Sequence, residues 1–274
     1  ANSNSAIAFQ ISKTMAQPRF NLLPVPPLDA RPVEKRIGVI LLATDHTSER
    51  DMARLCPHER VGIYANRIEY SNPTTPENLM LMQPRLQDGV ARILPGETLD
   101  AIYYACTAAS VTIGDRQVEK AIQDAKPGVP VVTPGLAART AFDVLGVSRI
   151  SILTPYLHET SAPIATYFEN HGMEVLNLDH FGMSDDRDMA RINPRTIVQA
   201  AYQATHKDAE ALFISCTALR SAEVAEEIEQ TLGRPVITSN QAGIWMTLRQ
   251  AGIAERVKGY GQIFEHDLRQ EHKN

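Results

Sequence analysis

Cys106 and Cys216 stand in matching surroundings, Ala101-Ile-Tyr-Tyr-Ala-Cys-Thr-Ala108 and Ala211-Leu-Phe-Ile-Ser-Cys-Thr-Ala218. Each closes a short apolar run and opens a polar turn. A thiol titrates near 8.5 when free, and the partial positive charge of a helix N-terminus lowers that value. A helix start is expected within a few residues of each cysteine, between Thr107 and Gly114 and between Thr217 and Ala222. A thiolate and a thiol on opposite faces of one substrate form a base and an acid, which is what inversion of a carbon centre requires. A single buried cysteine at a strand end is ordinarily a small apolar residue. The repeated Cys-Thr-Ala context argues for chemistry instead. Cys56, in Leu-Cys-Pro-His, has no repeated counterpart and is read as structural.

Other chemistries find less support. The sequence holds no Cys-x-x-Cys or His-x-x-x-His pair for zinc, so no metal is expected. Cysteine hydrolysis needs a positioned histidine, and none is obvious. Lys120, Lys126 and Lys207 fall on expected helices or their ends, not at a strand end suited to a Schiff base. A nicotinamide site would want Gly-x-Gly-x-x-Gly after the first strand, where Thr44-Asp45-His46 stands. No cofactor is expected.

The elements that must position the thiols follow from the apolar spacing. Strands are expected at 37–43, 61–69, 100–105 and 129–133, with helices at 76–94, 115–125 and 136–145; Pro84 should kink the first helix. The order then repeats: strands at 149–154, 173–178, 209–215 and 235–238, and helices at 160–171, 194–206, 222–232 and 241–250. Arg36 to Cys106 spans 70 positions and Arg149 to Cys216 spans 67, while Val129-Pro-Val-Val-Thr133 matches Arg234-Pro-Val-Ile-Thr238. Short buried strands alternating with helices, in an order that repeats, imply an α/β fold of two pseudo-symmetric halves, each a small parallel sheet flanked by helices. If the halves pack by an approximate two-fold axis, both thiols face one site, and the active site is expected in the cleft between them. Residues 1–35, rich in proline at Pro24, Pro26, Pro27 and Pro32, read as an extended or disordered arm. Residues 36–147 form the N-terminal half with Cys106 and 148–260 the C-terminal half with Cys216. The charged run 261–274 reads as an exposed tail, frayed or helical from Glu265.

Composition narrows the partners. Apolar residues at 43% and charged residues at 22% supply a core and exclude a largely disordered chain. A net charge of -5 disfavours capture of nucleic acid. No apolar stretch approaches the roughly 20 residues that span a bilayer. Scattered cysteines and the lack of a basic-then-apolar start at residues 1–10 point to a cytoplasmic protein with free thiols.

Cys-Thr at two strand ends, 110 positions apart, resembles the Asp/Glu racemase superfamily, within it the branch of maleate cis-trans isomerase and arylmalonate decarboxylase. More narrowly, Arg36-Ile-Gly-Val-Ile-Leu-Leu-Ala-Thr-Asp-His-Thr-Ser-Glu-Arg50 is similar to the ectoine-utilisation proteins of the EutA type. So are Asn72-Pro-Thr-Thr-Pro-Glu-Asn78, Leu153-Thr-Pro-Tyr156, Ser215-Cys-Thr-Ala-Leu-Arg220 and Ser239-Asn-Gln-Ala242. The resemblance spans about residues 31–253. It implies a cofactor-independent enzyme for a small carboxylate or amino-acid derivative, assembled as a homodimer or higher homo-oligomer. It assigns Cys106 and Cys216 as the acid/base or nucleophile pair. Thr107 and Thr217, with the backbone N–H groups after each cysteine, would hold a substrate carboxylate, and Tyr156 would donate a hydrogen bond to it. His46 occupies a place where maleate isomerases carry Asn, and Asn240 lies in the pocket-forming set. The decarboxylases keep only the second cysteine, so the presence of both argues against decarboxylation.

Three functions follow as expectations. The first is a racemase or epimerase acting in ectoine or hydroxyectoine breakdown. The second is a cis-trans isomerase in which a cysteine adds to a double bond and is then eliminated. The third is a non-catalytic binder of an ectoine-derived metabolite.

Overall fold

The computed structural model describes residues 19–269. Residues 19–32 fall in a first unit that ends at Pro32. Its described part has no helix or strand, and Phe20, Leu22, Leu23, Val25 and Leu28 are at least 78% exposed. Positions 1–18 of the arm expected over 1–35, and positions 270–274 of the tail expected over 261–274, lie outside the described residues.

From Val33 onward the chain forms a second unit. The run Lys-Arg-Ile-Gly-Val-Ile-Leu-Leu becomes β1 (Lys35–Leu42), with Ile37, Val39, Ile40 and Leu41 fully buried. Strands buried on both faces suit a parallel sheet covered by helices. β1 lies between β2 (Val61–Ile68) and β3 (Ala101–Tyr104), and β4 (Val131–Val132) completes a parallel sheet of order β2-β1-β3-β4. The second sheet has the same order, β6-β5-β7-β8, from β5 (Arg149–Tyr156), β6 (Glu174–Met183), β7 (Ala211–Ile214) and β8 (Val236–Thr238). Registers correspond as well: Ile37 pairs with Ala101 in one sheet, Ile150 with Ala211 in the other. The α/β architecture with two matched parallel sheets is thus as the sequence repeat implied.

The helices are α1 (Ser48–Leu55), α2 (Pro76–Met80), α3 (Gln83–Ala91), α4 (Thr107–Ile113), α5 (Asp115–Gln123) and α6 (Pro134–Leu145) in the first half. The second half carries α7 (His158–Asn170), α8 (Asp186–Met189), α9 (Pro194–Ala204), α10 (Ala225–Leu232) and α11 (Ser239–Gln250). Several differ from expectation for physical reasons. The single kinked helix at 76–94 is two helices that break at Leu81 and Met82. Pro84 then sits at the start of α3, where its missing N–H costs no bond. α1 was not expected because half of its eight residues are charged. It is started by the Asp45 carboxylate, which accepts from the Thr47 and Ser48 N–H groups at 2.8 Å each. β6 runs five residues past its expected end at Leu178, to Met183, and leads into the short α8.

Residues 261–269 correct the exposed-tail expectation. Ile263 and Phe264 are fully buried and Leu268 is 5% exposed. Trp245 Nε1 donates to the His266 carbonyl at 2.9 Å, and Arg249 donates to the Phe264 and His266 carbonyls. The three apolar side chains outweigh the charges that suggested solvation. Among the described residues no helix is long and apolar enough to cross a membrane.

Candidate active site

In each sheet the chain leaves the first strand to one side and returns on the other, so the carboxyl ends of β1 and β3, and of β5 and β7, flank a topological switch point. Ligands of open parallel sheets bind there. Cys106 lies two residues beyond β3 and Cys216 two beyond β7. The backbone steps between strand and cysteine correspond: Ala105 N–H donates to the Ile40 carbonyl and Ser215 N–H to the Leu153 carbonyl, both at 2.9 Å.

Contacts across the seam bring the two loops together. The Thr217 hydroxyl donates to the Ala105 carbonyl at 3.1 Å. The Thr107 hydroxyl donates to Ser239 Oγ at 2.8 Å, and the same oxygen accepts the Cys216 N–H at 3.0 Å. The Thr47 hydroxyl donates to the Ala218 carbonyl at 2.7 Å. Residues beside each cysteine are therefore bonded to residues beside the other, and a thiolate at Cys216 raises the pKa of Cys106.

The cysteines are not equivalent. Cys106 directly precedes α4 at φ -151°, whereas Cys216 has φ +111° and is followed by a turn and a short 3-10 segment at Ala222–Val224. A non-glycine residue at that φ carries backbone strain, which is concentrated at functional sites. Each cysteine is 5% exposed. Burial raises both thiols: Cys106 is held well above its ordinary range and Cys216 is pushed up to about 12. The expected lowering by helix N-termini is outweighed by loss of hydration. Donors oppose burial unequally. The Ala109 N–H favours a Cys106 thiolate, whereas the Tyr156 hydroxyl and the Ala218 and Leu219 N–H groups all favour one at Cys216. Tyr156, at the end of β5 and 3% exposed, thus acts directly on the second thiol.

The other expected residues divide. The Thr107 and Thr217 hydroxyls are spent on the seam, so neither is the free carboxylate donor that was expected. Asn240, 2% exposed, uses its whole amide inside the protein. It donates to Asp51 and to the Thr217 carbonyl at 2.9 Å each, and accepts from Ser48 and Tyr103. Asn240 therefore braces the turn after Cys216, a correction to the direct substrate contact expected of it. His46 is exposed, while its neighbours Asp45 and Thr47 are buried. The buried acid in that loop is Asp45, which caps α1 and whose pKa burial raises.

Residues not anticipated complete the cluster. Asp186, at the start of α8, is 4% exposed. It accepts from the Thr44 hydroxyl and from Asn72 Nδ2, and its negative charge raises the pKa of Cys106, Cys216 and Tyr70. Tyr70 is 7% exposed, with its hydroxyl 2.5 Å from that of Thr74. The only hint in the sequence was the polar stretch Asn72-Pro-Thr-Thr75 between expected elements. The run Asp185-Asp-Arg-Asp188 carries nothing in its sequence that sets it apart from a solvated turn. A separate cavity lined by Asp115, Arg139, Tyr167 and Met246 involves neither cysteine. Among the described residues no three His, Cys, Asp or Glu side chains are grouped to hold a metal ion.

Comparison with known proteins agrees with the fold. The maleate isomerase of Alcaligenes faecalis is 23% identical over 243 residues, covering 83% of this chain and 95% of its own. The arylmalonate decarboxylase of Bordetella bronchiseptica is 27% identical over 186 residues, covering 66% of this chain and 74% of its own. A cysteine-to-serine mutant of the maleate cis-trans isomerase of Nocardia farcinica, with a covalently bound succinylcysteine intermediate, shares the fold. Its TM-score is 0.78 at 22% identity, over 85% of this chain and 99% of that one. A family model described as arylmalonate decarboxylase matches residues 89–264, from the end of α3 through both cysteines to the segment that packs on α11. The chain belongs to the arylmalonate decarboxylase family.

Proposed function

We propose that this protein is a cofactor-independent, two-cysteine isomerase, a racemase or epimerase that inverts a carbon next to the carboxylate of a small amino-acid derivative. The observation that carries this reading is the convergence of Cys106 and Cys216 from matched strand ends of the two halves, joined through Ser239 and the Thr217–Ala105 bond. Cys216, with three donors to its sulfur against one for Cys106, is the thiol better prepared to become the base. In the reaction the Cys216 thiolate takes the Cα proton, and the electron pair left behind delocalises into the substrate carboxylate. The Cys106 S–H then delivers its proton to the opposite face, leaving Cys106 as the thiolate and Cys216 as the thiol. The reverse reaction, or proton exchange with water, restores the starting state. Similarity to the ectoine-utilisation proteins, in the segments from Arg36 to Ala242, supports an intermediate of ectoine or hydroxyectoine breakdown as the substrate.

A second reading, maleate-type cis-trans isomerisation by covalent addition of a cysteine, is favoured by the succinylcysteine in the Nocardia farcinica relative. Candidate amino acids incubated with the protein in deuterated water separate the two. Inversion places deuterium at Cα, while addition, rotation and elimination without carbon protonation leave Cα unlabelled. Cys106→Ser and Cys216→Ser should each reduce turnover by at least about a thousandfold, within the range expected when a general acid or base is lost. Normal turnover in either single variant would reject the two-thiol mechanism.

A further inference from the structure

Asp186 is a buried acid without a direct ion pair among the described residues. It enters from the second half at the start of α8, and its partners come from two loops of the first half. Thr44, after β1, donates to one carboxylate oxygen. Asn72, after β2, donates to the other at 2.8 Å and accepts the Asp186 N–H at 3.2 Å. All of these partners are neutral. Among the described residues no Lys, Arg or His lies within ion-pair distance of Asp186; Arg187, next in the chain, is turned to the surface and paired with Asp185. A carboxylate removed from water and left without a cation is costly, and such groups are normally paired. This one is 4% exposed and is held by Thr44, two residues past the carboxyl end of β1, the strand paired with β3 that leads to Cys106, so it borders the switch point at which a ligand of this sheet binds.

We propose that Asp186 makes the site select a substrate bearing a positively charged amine, a free amino acid or a diamino acid, and turn away dicarboxylates. The inference rests on the two-thiol reading above and specifies its substrate class. A substrate ammonium beside Asp186 supplies a direct ion-pair partner, while the substrate carboxylate lies between the two cysteine turns. A dicarboxylate places a second negative charge against Asp186, and juxtaposed like charges suppress binding strongly. A merely structural role, tying the Thr44 and Asn72 loops to α8, would influence stability without discriminating between ligand charges.

The test measures binding to the full chain through the ligand-dependent rise of the unfolding midpoint, with L-alanine, L-ornithine and succinate as probes. It is run on the wild type and on Asp186→Asn, which keeps the size and an acceptor oxygen while removing the charge. At least one amino acid should bind the wild type at least about tenfold more tightly than succinate, and the variant should lose that preference by a similar factor. Equal binding of succinate, a preference retained in Asp186→Asn, or no binding by either amino acid would overturn the assignment. The wild-type comparison decides even where the variant does not fold. Deuterium exchange at Cα, measured on the same samples, separates the outcomes. Exchange together with charge-blind binding removes the role of Asp186 and leaves the two-thiol reading standing. Binding selective for amines without exchange removes the chemistry and leaves the selectivity.

Discussion

At the scale of single residues, the chemistry depends on how far each buried charge is compensated. Cys216 is pushed up to about 12 by burial, and Tyr156 is the first of the groups that oppose this. A hydrogen bond to a charged group contributes roughly 1.5–3 kcal/mol, so its loss is worth about one to two pKa units. Tyr156→Phe should therefore move Cys216 further upward. In a Cys56→Ala, Cys106→Ser background, which leaves Cys216 as the one thiol, alkylation by iodoacetamide at fixed pH should be slower in Tyr156→Phe than in its parent; an unchanged rate would show that Tyr156 does not support the thiolate. Asp51 offers the complementary case. Burial raises its carboxyl to about 7, with the Asn240 amide opposing. Below about 3.8 folded and unfolded chains both hold this proton. Between that value and about 7 only the folded chain holds it, so the contribution of Asp51 to stability falls as pH rises through this window. Asp51→Asn, which mimics the protonated acid, should gain stability relative to the wild type between pH 4 and pH 8, by at most about 4 kcal/mol. Urea unfolding at both pH values checks it; a difference that does not change with pH would mean that the acid is already ionised at the lower value.

At the scale of elements, α11 governs how closely the two halves approach. It carries Ser239 and Asn240 at its start and packs against α6 and β3 of the first half. Gly243 makes that approach possible, because a Cβ there would run into the Tyr103 ring. Tyr103 is fully buried and its hydroxyl donates to Asn240 at 3.1 Å, so it has little freedom to yield. Gly243→Ala should cost about 1–3 kcal/mol, the usual range for overpacking, and disturb the turn after Cys216 through Asn240. Thermal unfolding and turnover would both fall; a stable, fully active variant would show that Tyr103 can move. These contacts also explain what was legible in the sequence. The strands and both thiols were, because each apolar run and its Cys-Thr-Ala ending is a local signal that occurs twice. Asp51, Asp186 and the bracing role of Asn240 were not. Each sits in a short polar stretch indistinguishable from a solvated one, and becomes buried only when an element from the other half covers it. The last segment was misread for the same reason: Ile263, Phe264 and Leu268 are spaced among charges, and their partner surface is α11.

At the scale of the molecule, the repeat in sequence does not make the halves independent. The seam holds the Thr107–Ser239, Thr217–Ala105, Thr47–Ala218 and Asn240–Asp51 bonds, while farther out the Thr160 hydroxyl donates to the Thr74 carbonyl at 2.8 Å and the Thr74 N–H to the Ser184 carbonyl at 2.7 Å. Most of these groups are buried, so separating the halves would leave polar atoms without partners or require them to be rehydrated, at about 1–3 kcal/mol for each buried group stranded. It would also bare the apolar faces that α11 and α6 share. Neither half is expected to persist when the other unfolds. Trp245, the single tryptophan, lies fully buried in α11 and reports on the seam, while far-ultraviolet circular dichroism reports on all the helices. In urea the two signals should change together in one transition. A tryptophan transition that precedes a second loss of helix would mean that one half survives alone, and the seam would then be a docking surface between two domains.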